Sequence, residues 1–365
     1  MKIIAFYLPQ FHEIPENNEW WGNGFTEWTN TKKAKPLFEG HYQPREPYND
    51  NYYNILNPDT REWQAKIAMQ HGVYGFCYYH YWFNGKQLLE KPIDEVLKMK
   101  SPDFPFCFSW ANEPWARTWD GKKKDVLMPQ DYGDKEDWVT HFNYLLPFFK
   151  DKRYIRVENK PMFILYKSSA IPRCDEMLLL WQDLAQKNGI EGIYFVKTLN
   201  AAKVSKLGTE FNAQIEFEPM YTIRHDYGVL KRIERKIKII CRKGLKLNSK
   251  IFLNTASYEY IWKRILNRKC NGQNTFLGAF VDWDNSARKG KEAFIIKGAD
   301  PIKFQDNLIK QIERAKNVYK TEFIFINAWN EWAEGTYLEP DKKNESQYLE
   351  AVKNALKITS SDDRL

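Results

Sequence analysis

The sequence predicts a closed (β/α)8 barrel with elaborated loops after its strands, and three observations carry that prediction. Eight short runs of apolar, β-branched or aromatic residues recur along the 365 residues, at 3–8, 73–79, 104–110, 162–166, 193–196, 213–217, 277–281 and 323–327. Helical patterns fall between them, at 59–71, 87–98, 135–149, 176–188, 230–242, 259–267 and 302–319. The runs do not alternate apolar with polar residues, which is the mark of strands covered on both faces. A doubly wound open sheet would share this element order and is the runner-up. Against it, no G-x-G-x-x-G follows the first run and no G-x-x-x-x-G-K-[ST] occurs anywhere.

Taken in order, the elements read as follows. Residues 1–9 hold a lysine and then only six apolar residues before Pro9, too few for the core of a secretory signal, so they predict a first strand. The second and third runs carry Cys77 and Cys107, expected as core thiols. The five cysteines are spread out and form no C-x-x-C pair, so neither a disulfide scaffold nor a zinc module is expected. No stretch rich in Gly, Ser or Pro divides the chain. Residues 1–358 are therefore expected to form one barrel domain, and 359–365 a frayed tail. With 14 Trp, 21 Tyr and 23 Phe the bulk cannot be disordered, and no run of 18 apolar residues offers a membrane span.

The formal net charge of +8 is concentrated. Residues 228–250 contain nine Lys/Arg and one Glu, which gives +8 for this segment and leaves the remainder near neutral. Leu230, Ile233, Ile237, Ile240 and Cys241 recur there at helical spacing. The plain reading is a surface helix whose apolar stripe packs on the protein's own core. The alternative is peripheral contact with an anionic membrane or lipid-linked glycan. Nucleic acid is not expected as a partner, since no recognition module accompanies the patch.

In a barrel, the residues just after each strand build the active site. Here they are aromatics mixed with carboxylates, amides and histidines: His12, Trp21, Glu27 and Trp28 after the first strand, Tyr79, His80 and Trp82 after the second, and Trp110, Asn112, Glu113 and Trp115 after the third, with Arg117 and Trp119 beyond. Glu216 and Glu218 follow the sixth, Asp282 and Asp284 the seventh, and Trp329, Asn330, Glu331, Trp332 and Glu334 the eighth. Flat aromatic faces stack on sugar C–H faces while carboxylates and amides take the hydroxyls, so this pattern predicts an oligosaccharide or polysaccharide cleft. Some of the aromatics must instead fill the core. Glycoside chemistry usually needs two carboxylates. Glu331 and Glu334 are three apart, so one helical turn would aim both into the barrel mouth, and their mutual repulsion would raise one pKa and leave that group protonated as an acid. Glu113, in an Asn-Glu pair, is the competing acid/base candidate. His12 and His80 lack a compact metal-ligand pattern, and neither metal nor cofactor is expected.

Several blocks in one order, FYLPQFH-x-I-P-E-N with WWG-x-GFTEW, YGFCYYHYWF, WANEPW and W-N-E-W-A-E-G-x-x-x-E-P, resemble the WbsX-like proteins. These are glycoside-hydrolase-family-99-like proteins of polysaccharide biosynthesis loci, often labelled glycosyltransferases, and the blocks span residues 3–340. The resemblance implies a (β/α)8 barrel and retaining endo-α-mannosidase-like chemistry. In that chemistry a carboxylate works as base on the sugar's own 2-hydroxyl, a 1,2-anhydrosugar forms, and a second glutamate protonates the leaving oxygen. Carried onto this sequence, the base is Glu331 and the acid Glu334, with Ala333 where the family's E-W-H-E-G has histidine. The alternatives are a glycosyltransferase of O-antigen or capsule assembly and a non-catalytic glycan-binding barrel. A cytoplasmic location is expected, with the inner membrane face as the alternative if the basic segment meets a membrane.

Overall fold

The structure, a computed structural model, describes residues 1–116, 125–199, 210–243, 252–270, 272 and 274–361. All eight apolar runs are strands: β1 (Lys2–Tyr7), β2 (Val73–Phe83), β3 (Phe106–Trp110), β4 (Lys160–Leu165), β5 (Tyr194–Thr198), β6 (Ala213–Ile215), β7 (Thr275–Phe280) and β8 (Phe323–Asn327). Each pairs in parallel with the next, β6 with β7 included although a long connection separates them in sequence, and β8 returns to β1, with Lys2 opposite Phe323 and Ala5 opposite Ile326. The barrel is therefore closed, and no unpaired edge remains in it. A side chain at Gly278 of β7 would collide with the Glu216 carbonyl, so only glycine lets these two chains pass so closely.

The helices are α1 (Pro15–Trp21), α2 (Glu27–Lys33), α3 (Pro58–Gln70), α4 (Lys91–Met99), α5 (Lys135–Lys150), α6 (Cys174–Lys187), α7 (Val229–Lys243), α8 (Tyr258–Leu266), α9 (Ser286–Lys289), α10 (Pro301–Arg314) and α11 (Gln347–Ser361). Their starts follow local chemistry. Asn57, Asp134 and Asp300 each accept a hydrogen bond from a first-turn backbone N–H, and Pro58 and Pro301 occupy the first turn, where no partner for a proline nitrogen is needed. Trp138 of α5 and Trp181 of α6 are wholly buried against the strands, each such burial contributing on the order of 2 kcal/mol.

Four expectations change. The helix expected over 87–98 starts at Lys91, because Asn84 and Gly85, both at positive φ, turn β2 back into an antiparallel strand, Lys86–Leu88. The helix expected over 302–319 becomes a π-turn after Arg314. The tail expected to fray after 358 stays helical through Ser361, with Thr359 buried and its hydroxyl bonded to the Ala355 carbonyl. The strands Asn254–Ser257 and Phe294–Lys297 form an unforeseen parallel pair outside the barrel.

Candidate active site

The loop that leaves β8 is fixed before it reaches any carboxylate. Asn330 is buried, accepts from the Leu8 backbone N–H at 2.7 Å and donates to the Leu8 carbonyl at 3.0 Å, so its side chain pairs with the end of β1. Asn330–Glu331 then pairs antiparallel with Thr336–Tyr337, and the loop between them is a single 3-10 turn, Trp332–Glu334, closed by Gly335 at φ 63. Trp332 stacks on Tyr337 with ring centroids 3.9 Å apart and donates to Glu339 at 2.7 Å. Glu331 stands just before this turn and Glu334 ends it.

Both meet Arg288, from the one-turn helix α9 after β7. Its Nη1 donates to Glu334 at 2.8 Å, and its Nη2 to Glu331 at 3.3 Å and to Glu27 at 2.5 Å. The backbone N–H of Asp284 also donates to the Glu334 carbonyl at 2.7 Å, so the two loops are joined by main chain as well. One guanidinium serves three carboxylates, which leaves an excess of negative charge in a buried place. Burial opposes the charge on Arg288, yet Glu27, Glu334 and Glu331 together hold its pKa above the ordinary value. Burial raises the Glu27 carboxyl even against Arg288. The same desolvation lifts Glu331 to about 8, with Glu334 and Glu27 adding to the rise and Arg288 opposing it.

The pair lies at the junction of two adjoining cavities, of about 190 and 350 Å³. Tyr81, Trp115, Arg288 and Glu331 wall both. The smaller adds Gln10 and Trp21, while the larger adds Tyr79, Glu113, Tyr166, Trp283, Asn327 and Glu334. Among the described residues no three His, Cys, Asp or Glu side chains converge as metal ligands, and the three glutamates here gather round a cation instead.

Of the residues the sequence singles out, Trp21, Tyr79, Glu113, Trp115, Glu331 and Glu334 line this cleft. Glu27 lies behind it, holding Arg288. Glu113 is exposed on the rim and paired with Lys167 at 2.8 Å, a poor setting for a catalytic acid. The others are corrected. Strand β2 continues to Phe83, so its side chains keep alternating: Tyr79 and Tyr81 enter the cleft, whereas His80 and Trp82 turn outward to α5. There His80 shares a proton with His141 across 2.7 Å, and Trp82 stacks on His141 at 4.4 Å while donating to Asp137. Trp110 packs on the same His141. His12 is wholly buried, and burial lowers its pKa to about 4. Trp28 donates to the Tyr53 carbonyl, and Trp329 is buried against Phe76. Trp332 and Asn330 hold the loop after β8 as described.

The remaining polar candidates are likewise spent on structure. Asn112 bonds the backbone of Lys167 in both directions. Glu216 and Glu218 share Arg268 at 2.5 and 2.8 Å. Asp282 binds Arg45 at 2.7 Å, and Asp284 accepts from His41 and Gln43 at 2.7 Å each, around a separate recess. Arg117 and Trp119 lie outside the described residues. Sequence reasoning missed Arg288 and Tyr81. The alternation Tyr79, Tyr81 was the available signal for the second, and Arg288 had none beyond its place one turn after Asp284.

Ala333, between the two glutamates, is closed against Ala34 and Ala287, so the 3-10 turn packs directly on α2 and α9. That contact sets the position of Arg288 relative to the pair.

The fold is shared with solved structures. It matches the GH99 endo-alpha-mannosidase from Bacteroides thetaiotaomicron over 100% of this chain and 98% of that one, with a TM-score of 0.57 at 13% identity. A structure described as a glycoside hydrolase-like protein matches over 97% and 93%, with a TM-score of 0.58 at 12% identity. The chain belongs to the family described as Glycosyltransferase WbsX, whose sequence model matches residues 3–352. It is also similar to the uncharacterized protein WxcX of Xanthomonas campestris pv. campestris, at 33% identity over 356 residues in each of two strains. That match takes in 97% of this chain and 49% of the relative, so the chain spans about half the length of the curated relatives it matches.

Proposed function

We propose that the chain acts on a glycosidic bond of a bacterial surface-type polysaccharide or oligosaccharide, by retaining glycosidase or transglycosidase chemistry. The observation that carries this reading is the Arg288-bridged pair Glu331–Glu334 at the junction of two aromatic-walled cavities, where a bond between two sugar residues would lie. Glu331 serves as base. That role comes from the resemblance and reverses the simple expectation that the raised carboxyl is the acid: Glu331, lifted to about 8, must first lose its proton, and once ionised it is a stronger base toward a sugar hydroxyl than an ordinary carboxylate. It takes the proton of the 2-hydroxyl as that oxygen closes on C1. Glu334 gives its proton to the departing glycosidic oxygen. Water or another sugar hydroxyl then opens the 1,2-anhydro ring at C1 and yields its proton to Glu334, while Glu331 returns a proton to O2. The anomeric configuration is retained after two inversions.

A second reading is sugar-nucleotide transfer, favoured by the family's description. A third, a glycan-binding barrel without chemistry, would leave Glu331 and Glu334 affecting affinity alone. Product analysis against α-linked oligosaccharides and polysaccharide repeat units, with and without sugar nucleotides and beside Glu334→Gln, separates them. Cleavage or chain exchange without a nucleotide donor, lost in the variant, is expected. Product formed only with the donor would replace this mechanism by the second reading.

A further inference from the structure

Helix α7 presents its apolar side to solvent and its basic side to the protein. The sequence expectation was the reverse, an apolar stripe packed on the core. Val229, Leu230, Ile233, Ile237 and Ile240 fall on one face at 100° per residue, and all five are exposed, Leu230 by 83% and Val229 by 73%. On the opposite face Arg235 donates to Asn254 at 2.8 Å and covers the Phe294 ring, Arg242 is buried beside Glu292, and Lys231, Arg235 and Lys238 wall a cavity of about 400 Å³ with Lys297, Tyr227 and Tyr260. Arg232 and Lys236 are exposed on the flank.

Single exposed apolar residues are ordinary, but five in one stripe on a helix mark a surface that meets something. The charge identifies the partner. The helix carries seven Lys/Arg and one acid, Glu234, which is already paired with Lys231 at 2.7 Å and Lys238 at 2.8 Å. A second copy laid face to face would bring two strongly cationic helices together, whereas an anionic bilayer accepts both the apolar stripe and the cations. We propose that α7 docks the protein on an anionic phospholipid membrane, with the stripe at the acyl boundary and Arg232 and Lys236 among the headgroups. The β6-to-β7 connection that carries α7 also supplies Met220 to the cleft, so docking would hold the cleft close to the bilayer surface. The inference does not depend on the chemistry proposed above.

The test is co-sedimentation of the whole chain with phosphatidylcholine vesicles with and without phosphatidylglycerol, at low and high salt, beside the double variants Leu230→Asp/Ile237→Asp and Arg232→Gln/Lys236→Gln. These positions are exposed, so the variants should melt as the parent does; the milder Leu230→Gln/Ile237→Gln covers the case in which they do not. Binding to the anionic vesicles is expected, falling with salt, and weakened about tenfold or more by either double variant. Parent protein left in the supernatant with anionic vesicles would overturn the proposal, as would equal binding to neutral ones. So would a dimer, seen by light scattering, that the aspartate variant dissolves, because the stripe would then belong to a second copy.

Discussion

The guanidinium of Arg288 meets the carboxylate of Glu331 at 3.3 Å, and this contact joins the loops that leave the seventh and eighth barrel strands. Neither group is satisfied by the other alone: the same nitrogen also serves Glu27, and the other terminal nitrogen serves Glu334. Removing the cation would leave three carboxylates facing one another under cover. Arg288→Met is therefore expected to cost on the order of 3 kcal/mol in stability and to move the Glu331 titration further alkaline, since the one group that lowers it is gone. Thermal melting and the pH–rate profile read the two effects separately.

With Glu331 as the base, kcat/KM should rise with pH through a midpoint near 8 and level off about one unit above it, because the carboxyl must lose its proton to work. A rate that falls as pH passes 8 would instead make Glu331 the acid and reverse the two roles.

The same raised pKa bears on stability. Between about 4.5 and 8 the folded chain binds a proton at Glu331 that the unfolded chain has released, so stability falls as pH rises through that window. Glu331→Gln removes this slope and should stabilise the protein at pH 8 by on the order of 2 kcal/mol while abolishing turnover. Denaturant melts at pH 5 and pH 8 test it. Glu339, raised by burial to about 7, contributes a slope of the same sign that the variant leaves in place.

Tyr79 and Tyr81 face the cleft and His80 faces α5, so substitutions along this short stretch should divide cleanly. Tyr81→Ala and Trp115→Ala, which strip the wall common to both cavities, are expected to raise KM about tenfold, and Tyr81→Ala, at a buried ring, should also cost roughly 2–4 kcal/mol in stability. His80→Gln should leave the kinetic constants within about twofold and lower stability by roughly 1–3 kcal/mol. Burial holds His80 to about 3, so below pH 6.5 the unfolded chain takes up a proton that the folded one refuses, and stability drops on acidification.

Ala333→His restores the residue of the resembling motif but forces an imidazole between Ala34 and Ala287. The expected result is a loss of roughly 1–3 kcal/mol and a displaced Arg288, read as a shift in the alkaline limb.

Much of the fold was legible because barrel strands are covered on both faces and read as unbroken apolar runs. All eight were found, and Glu331 and Glu334, singled out from their spacing, do meet at one guanidinium. What failed was direction. The strand through Val73–Phe83 was expected to end at residue 79, so His80 and Trp82 beyond it were assigned to the mouth, whereas the Asn84–Gly85 turn shows that the strand continues and its side chains alternate. The helix at 229–243 was found, but periodicity gives a stripe and not the side it faces. Arg288, and the role of Glu27 in holding it, lay beyond reach for another reason: that role comes from a contact between residues 261 positions apart. Likewise Asp282 and Asp284 looked available until Arg45, His41 and Gln43 folded back onto them.

Asn330 does with its side chain what a neighbouring strand does with its backbone, taking both the N–H and the carbonyl of Leu8. The residue next to it is Glu331. As the chain leaves the ribosome, the first strand therefore waits for more than three hundred residues before the partner that completes its end arrives. Until that clasp shuts, the two glutamates have no fixed place, so a nascent or truncated chain carries no half-built carboxylate pair.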